Sequence, residues 1–266
     1  MIEYFVHTDL IVAEDNARLF ERAGSDFMAA GGFKRLNEEF DQELVLGLKT
    51  PGPFSYTDTG YQNFQSARSV ALDRRLPPKQ QRVFGYVNLW RIPHLADMDL
   101  ATIMNRCADD DLYRKIDSYV VREIQNFVVR VQWLGKARVP SNVAAIYRVI
   151  HQFKAADLSS YLAALGPLLP ILEAKGWMAL GQFQNVTGPL NTVVEFWATT
   201  DAKSEPGDLA AHFAAHNPKR EEIFKGLCEK LQHMCVDPCG NLPQAELCET
   251  FQIAPYFRET PANQAL

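Results

Sequence analysis

The chain of 266 residues contains no apolar run near the roughly 20 residues that a membrane-spanning helix requires. It begins Met-Ile-Glu-Tyr, without the basic and apolar regions of a secretory leader, so the expected location is cytoplasmic. Cysteine is scarce. Of the five, four crowd between Cys228 and Cys248, an odd total for an extracellular disulfide framework and one that favours reduced thiols. Basic residues are scattered, Arg74, Arg75, Lys79 and Arg82 being the nearest approach to a cluster, and the formal net charge is −5. That balance offers no basic stripe to a phosphate backbone, so neither nucleic acid nor membrane is an expected partner. Gly-x-Gly-x-x-Gly, P-loop and Gly-x-Ser-x-Gly motifs are all missing, which argues against a tightly held dinucleotide or nucleotide and against a nucleophile-elbow hydrolase.

What is present is ordinary in bulk and unusual in order. An apolar fraction of 47% and a charged fraction of 22% suit a globular protein with a substantial core. The sequence also repeats itself. Tyr4 to Asp9 is answered by Tyr147 to Gln152, and Ala-Gly-Gly-Phe at 30 to 33 by Ala-Lys-Gly-Trp at 174 to 177. Tyr86-Val-Asn-Leu-Trp90 is answered by Val193-Val-Glu-Phe-Trp197, Asp99-Leu-Ala by Asp208-Leu-Ala, and Glu123 to Asn126 by Glu249 to Gln252. Two copies are too few for a solenoid, so a duplicated domain is the better account.

In the second half, alternation predicts a strand at 145 to 153 and helical spacing of leucines follows a cap at Asp157, with Pro167 and Pro170 bending it. Strands at 177 to 186 and 192 to 199 flank the turn Gly188-Pro-Leu-Asn191, then come a helix from Asp208 to about His233 and a strand at 247 to 254. The first half predicts strands at about 2 to 12, 33 to 40, 83 to 92 and 120 to 133, with helices at about 14 to 30 and 99 to 118. Each half thus reads β-α-β-β-α-β, the ferredoxin-like order. A sheet with helices on one face needs something to cover the other. The expected fold class is therefore α+β, two fused ferredoxin-like repeats forming one pseudo-twofold barrel. The expected domains are repeat A at 1–135 with an insert at about 41–82, repeat B at 143–257, and a tail at 258–266. Aromatics in the insert, Tyr56, Tyr61 and Phe64 among them, suggest a pocket cover or an excursion packed on the outside.

Strand alternation then nominates a cavity lining. Tyr86, Asn88 and Trp90 share one face of their strand, and Val87 and Leu89, taken as the helix-covered side, share the other. By matched position Val193, Glu195 and Trp197 also turn inward, a lining that suits a flat aromatic ligand with polar edges, unless the indoles simply fill the barrel. His7 and His151 on the first strands are candidate bases for a phenolic proton. Glu195 is costly to bury unless paired or functional. Asn126, Gln125 and Gln252 on the fourth strands are lesser candidates for orienting a ligand. His212 and His216, four apart, and His233 with Cys235 and Cys239 match no standard metal set, so no metal is expected.

Tyr147 through Leu162, Gly176-Trp177, Gly188-Pro189-Leu190-Asn191 and Glu195-Phe196-Trp197 resemble the NIPSNAP family, a branch of the dimeric α+β-barrel superfamily that also holds antibiotic-biosynthesis monooxygenases. Length, duplication and fold together are similar to the oxygenases that open a ring of angucycline polyketides. The resemblance implies an oxidoreductase of antibiotic biosynthesis: an oxygenase without bound metal acting on a polycyclic phenol or quinone. Molecular oxygen would be consumed, with reduced flavin (FADH2 or FMNH2) as a diffusible co-substrate from a separate flavin reductase. In that scheme His7 or His151 is the base, Asn88 and Glu195 position oxygens, and Trp90 and Trp197 sandwich the rings, with Tyr86, Asn126, Tyr56 and Phe64 around them. A non-catalytic NIPSNAP-like binding module and a cofactor-free isomerase or lyase are the rivals, and the chain is expected as a monomer or homodimer.

Overall fold

The computed structural model describes residues 2–36, 40, 42–56, 81–92, 100–131, 139, 143–152, 169–174, 176–187, 192–200 and 248–258. It is an α+β protein whose strands pair antiparallel wherever a register is defined. The chain divides into two compact units: Met1–Val128 with Gln252–Leu266, and Val129–Phe251.

In the first unit β1 (Tyr4–Ala13) leads into α1 (Ala17–Ala29), whose Ala17, Phe20, Ala23, Gly24 and Phe27 are buried at helical spacing while Arg18, Arg22 and Asp26 face out. Next come β2 (Glu43–Lys49), β3 (Phe54–Tyr56) and β4 (Gln81–Ile92). Two further helices, α2 (Leu100–Asp109) and α3 (Asp111–Tyr119), run into β5 (Val120–Arg130). Strand order is β5-β1-β4-β2, with β3 extending the edge of β4 that β2 occupies. Asp110 caps α3, its carboxylate accepting from Tyr113 N at 2.8 Å and pairing with Arg35. Burial alone would raise the Asp110 carboxyl, but Arg35 and the backbone donors outweigh it and hold the group below its usual range.

The second unit contains β6 (Ala145–Gln152), α4 (Leu169–Ala174), β7 (Trp177–Asn185), β8 (Thr192–Thr199) and the first part of β9 (Cys248–Ile253), in the order β7-β8-β6-β9. The helices expected at 157 to 168 and 208 to 233, and the His212, His216, His233, Cys235 and Cys239 positions, lie outside the described residues. The repeated glycines have a backbone reason. Gly32 and its match Gly176 both take positive φ, 57° and 84°, where a Cβ would be strained. Here the two halves part, because Trp177 starts a strand whereas Phe33 starts a 3₁₀ turn, Gly32–Arg35.

The strand expected at 33 to 40 is therefore corrected: the second strand lies at Glu43–Lys49, within the segment read as insert. Phe33, Leu36 and Phe40 recur every three or four residues rather than every two, and they pack on Ile103, Cys107 and Tyr113. After the final strand the chain makes a short helix, α5 (Pro255–Arg258), against β2 and α1. Its approach depends on Gly47, where an added Cβ would stand 2.8 Å from Phe257 Cβ and 3.2 Å from the Tyr256 ring. Gly47→Ala is expected to destabilise the protein by about 1–3 kcal/mol through overpacking. Gly52→Ala, whose Cβ would meet nothing within 4 Å, should leave the urea unfolding midpoint unchanged.

Candidate active site beneath the helices of the first unit

The β1–β4 register pairs Val6 with Trp90, Thr8 with Asn88 and Leu10 with Tyr86, so these six side chains share one face of the sheet. That face lies under the helices. The Tyr86 ring is 4.7 Å from Phe20 of α1, the Trp90 ring is 4.9 Å from Phe33, and the Tyr86 hydroxyl donates to Glu21 Oε1 at 2.8 Å. The parity inferred from sequence is thus reversed for this strand. Aromatic side chains on the helical layer match an aromatic sheet face, and the aliphatic Val87 and Leu89 take the other side.

Between this face and the helices is a cavity of about 120 Å³. Val6, Thr8 and Leu10 of β1, Asn88 and Trp90 of β4, and Leu44 of β2 form its floor; Phe20, Gly24, Phe27 and Met28 of α1 form its roof. Tyr113, Ile116 and Asp117 of α3, with Glu123 and Gln125 of β5, line one side, and Tyr256 of α5 closes another part of the wall. Gln125 is exposed and Asp117, Glu123, Gln42 and Met28 are half-buried, which marks where the cavity meets solvent.

The electrostatics of this lining are specific. Burial pushes the Glu123 carboxyl above its usual range, the nearby Asp117 charge adds to the shift, and the Gln125 amide, donating to Glu123 Oε1 at 2.6 Å, opposes it. Burial first, then the neighbouring acidic groups Glu123 and Asp117, keeps the Tyr113 phenol firmly protonated. Beside it the Cys107 thiol is pushed up to about 12, by burial and then by Asp110, Glu123 and Asp117, and stays a thiol. At the floor, the Tyr256 hydroxyl donates to Asn88 Oδ1 at 2.7 Å. A carboxyl that holds its proton more tightly than usual, next to a protonated phenol and facing a mostly apolar chamber, is equipped to exchange a proton with a neutral ligand.

Of the residues nominated from sequence, Asn88, Trp90 and Gln125 line this cavity and Tyr86 lies on the same sheet face. The others do not join them. His7 is 3% exposed on the opposite face of β1, its Nε2 3.9 Å from Asp9 Oδ2, so the base role expected of it does not fit this cavity. Asn126 alternates away from Glu123 and Gln125 on β5. In the second unit Glu195, 2% exposed, accepts from Gln182 Nε2 at 2.6 Å and from Trp197 Nε1 at 3.0 Å, which satisfies both carboxylate oxygens. Glu195 and Trp197 therefore form an internal polar network of that unit. His151 is in β6 opposite Val193, and Tyr56 in β3 opposite Gln81, with side chains outside the described residues, as is Phe64 altogether.

Sequence reasoning missed Glu123, Tyr113, Asp117, Thr8 and Tyr256. The signal for Glu123 was the one that drew attention to Glu195, a carboxylate in mid-strand. Among the described residues no group of three or more His, Cys, Asp or Glu side chains could hold a metal ion. No helix among them is long and apolar enough to cross a membrane.

No protein-family model matches the chain, and no curated protein sequence matches it. Among solved structures it is similar to an anthrone oxidase-like protein at 10% identity, covering 94% of this chain and 91% of that one, with a TM-score of 0.52. That identity establishes likeness of fold alone. A candidate monooxygenase from Fusobacterium nucleatum subsp. nucleatum matches at 11% identity over 95% of this chain and 93% of that one, with a TM-score of 0.48. Another from Lactobacillus acidophilus matches at 12% identity over 95% and 93%, with a TM-score of 0.47.

The raised carboxyl has a signed consequence for stability. The folded state holds the Glu123 proton to higher pH than the unfolded chain does, so stability falls as pH rises from the ordinary carboxylate range through the elevated folded value. Glu123→Gln removes that titration. Unfolding measured in urea from pH 4 to pH 8 is expected to show wild type losing ground to the variant as pH rises.

Proposed function

We propose that the protein is an oxygenase for a hydroxylated aromatic compound, with the substrate ring held in the cavity of the first unit and Glu123 as the proton acceptor. The carrying observation is the raised Glu123 carboxyl beside the protonated Tyr113 phenol in the wall of a mostly apolar chamber. Two fused ferredoxin-like repeats are the architecture proposed to present it, supported by the strand orders β5-β1-β4-β2 in one unit and β7-β8-β6-β9 in the other.

In this reading Glu123 replaces the histidines as base. It takes the phenolic proton, and the phenolate passes one electron to molecular oxygen. The resulting radical and superoxide combine, forming a carbon–oxygen bond at a ring carbon that carries hydrogen. The proton returns from Glu123 to the distal oxygen, giving a hydroperoxide. Loss of water then breaks the C–H and O–O bonds and leaves a ketone, so substrate and oxygen yield quinone and water with no outside reductant. Where the product is the hydroxylated phenol rather than the quinone, one oxygen atom again enters the ring and the other leaves as water, and reduced flavin from a separate reductase supplies the two further electrons. Burial under α1 supports the scheme by excluding water from the reactive anion.

The cavity size bears on the substrate. Its volume, about 120 Å³, is close to the ~150 Å³ of a protein cavity that takes benzene. Of a polycyclic phenol, one ring fits inside and the others extend past Gln125. The Glu123–Tyr113 pair would equally serve a keto–enol isomerase, which consumes no oxygen. An oxygen electrode with 1-naphthol and a hydroxyanthrone, each with and without reduced flavin, separates the two. Catalysed uptake is expected, falling at least about 10²-fold in kcat in Glu123→Gln. No uptake under any of these conditions refutes the oxygenase.

A further inference from the structure

We propose that Thr8 and Asn88 form a two-donor seat for a carbonyl oxygen of the ligand, and that Tyr256 is the positioning residue that turns the Asn88 amide to donate. The inference rests on the cavity being the substrate site, and it specifies a second functional group that the substrate carries.

Thr8 and Asn88 face each other across β1 and β4, a separation that places their Cβ atoms about 5 Å apart. One ligand atom can therefore reach both. They are 4% and 7% exposed, and both line the cavity. Among the described residues neither the Thr8 hydroxyl nor the Asn88 amide nitrogen has a hydrogen-bond partner. Neither group is among the fully enclosed polar atoms that lack a partner, so both open onto the cavity, and a pair of donors on one wall of a mostly apolar chamber points to an occupant that accepts.

The polarity of the seat follows from Tyr256. Burial raises that phenol far above its usual range, and the Glu21 charge adds to this, against the favourable bond from Asn88, so the hydroxyl keeps its proton and donates to Oδ1. With Oδ1 engaged, the amide hydrogens are what Asn88 offers the cavity. Among the described residues no lysine, arginine or histidine lines the chamber, while Asp117 and Glu123 do. A carboxylate or phosphate is thereby disfavoured, and a neutral carbonyl is the acceptor that fits.

The seat and the base also act together. β1 lies between β4 and β5, so Asn88 and Glu123 are on strands two spacings apart, roughly 10 Å between the strand axes. A ring bearing a hydroxyl toward Glu123 and a carbonyl toward Asn88 spans that gap. When the hydroxyl loses its proton, charge moves through the ring to the carbonyl oxygen, where two donors await it. Tyr256 reaches the floor because Gly47, opposite Asn88 in the β2–β4 register, and Gly24 of α1 carry no side chains in its path.

The test compares 4-hydroxyacetophenone with 4-ethylphenol, matched but for the carbonyl, by calorimetry and by the fluorescence of cavity-lining Trp90. Wild type is expected to bind the ketone about tenfold more tightly. Tyr256→Phe and Asn88→Leu should each lose most of that preference while keeping affinity for 4-ethylphenol, which reports an intact cavity. If Tyr256→Phe fails to fold, Thr8→Val carries the same expectation. Equal wild-type affinity for the two ligands overturns the seat and leaves the cavity as substrate site. Binding of neither overturns both, and full ketone preference in Tyr256→Phe overturns the role of Tyr256.

Discussion

The pairing of β1 with β4 is the constraint on which the candidate site depends. Ten consecutive residue pairs, Tyr4↔Ile92 to Ala13↔Val83, leave no freedom of register. A slip of β4 by one residue would send Asn88 and Trp90 to the other side of the sheet, bring Val87 and Leu89 under the helices, and part Asn88 from Thr8. The register is held from above, because the Phe20 and Phe33 rings pack on Tyr86 and Trp90 when these face the helical layer. Core packing and site assembly are here one interaction, and the polar residues between those aromatics are carried to the cavity floor by it.

The rim is built by different means. Glu123 and Gln125 come from β5, and Tyr113 and Asp117 from the helix that precedes it, so a single helix-to-strand turn gathers the acidic side of the chamber. Asp110 fixes the start of that helix through its cap and its Arg35 pair, and thereby sets where Tyr113 stands relative to Glu123. The carboxyl pKa is in this sense a property of helix placement.

The sequence carried the order of elements well. The repeated motifs mark β1, β4, β5, β6, β8 and β9, and the paired glycines mark the backbone turns at Gly32 and Gly176. It also supplied two faces for β4 but not their assignment. Alternation separates Tyr86, Asn88 and Trp90 from Val87 and Leu89, whereas the choice between faces is made by what the helices present, and α1 presents phenylalanines. Leu44, Leu46 and Leu48 signalled a strand of their own, obscured because alignment with the second half placed it earlier. Glu123 was hidden for another reason: its perturbation arises from Asp117 and from burial beneath a helix, neither of which is visible along a strand. The buried Glu195 looked alike in sequence and proved to be satisfied by Gln182 and Trp197.

Tyr256 belongs to the first unit but is encoded after the whole of the second. During synthesis α1, β1 and β4 emerge long before this residue does, and the Gly24 and Gly47 positions against which it packs must stand vacant in the meantime. The chamber therefore acquires its last wall only after the second unit has emerged, and a polypeptide arrested before that point would present an apolar trough in place of an enclosed one.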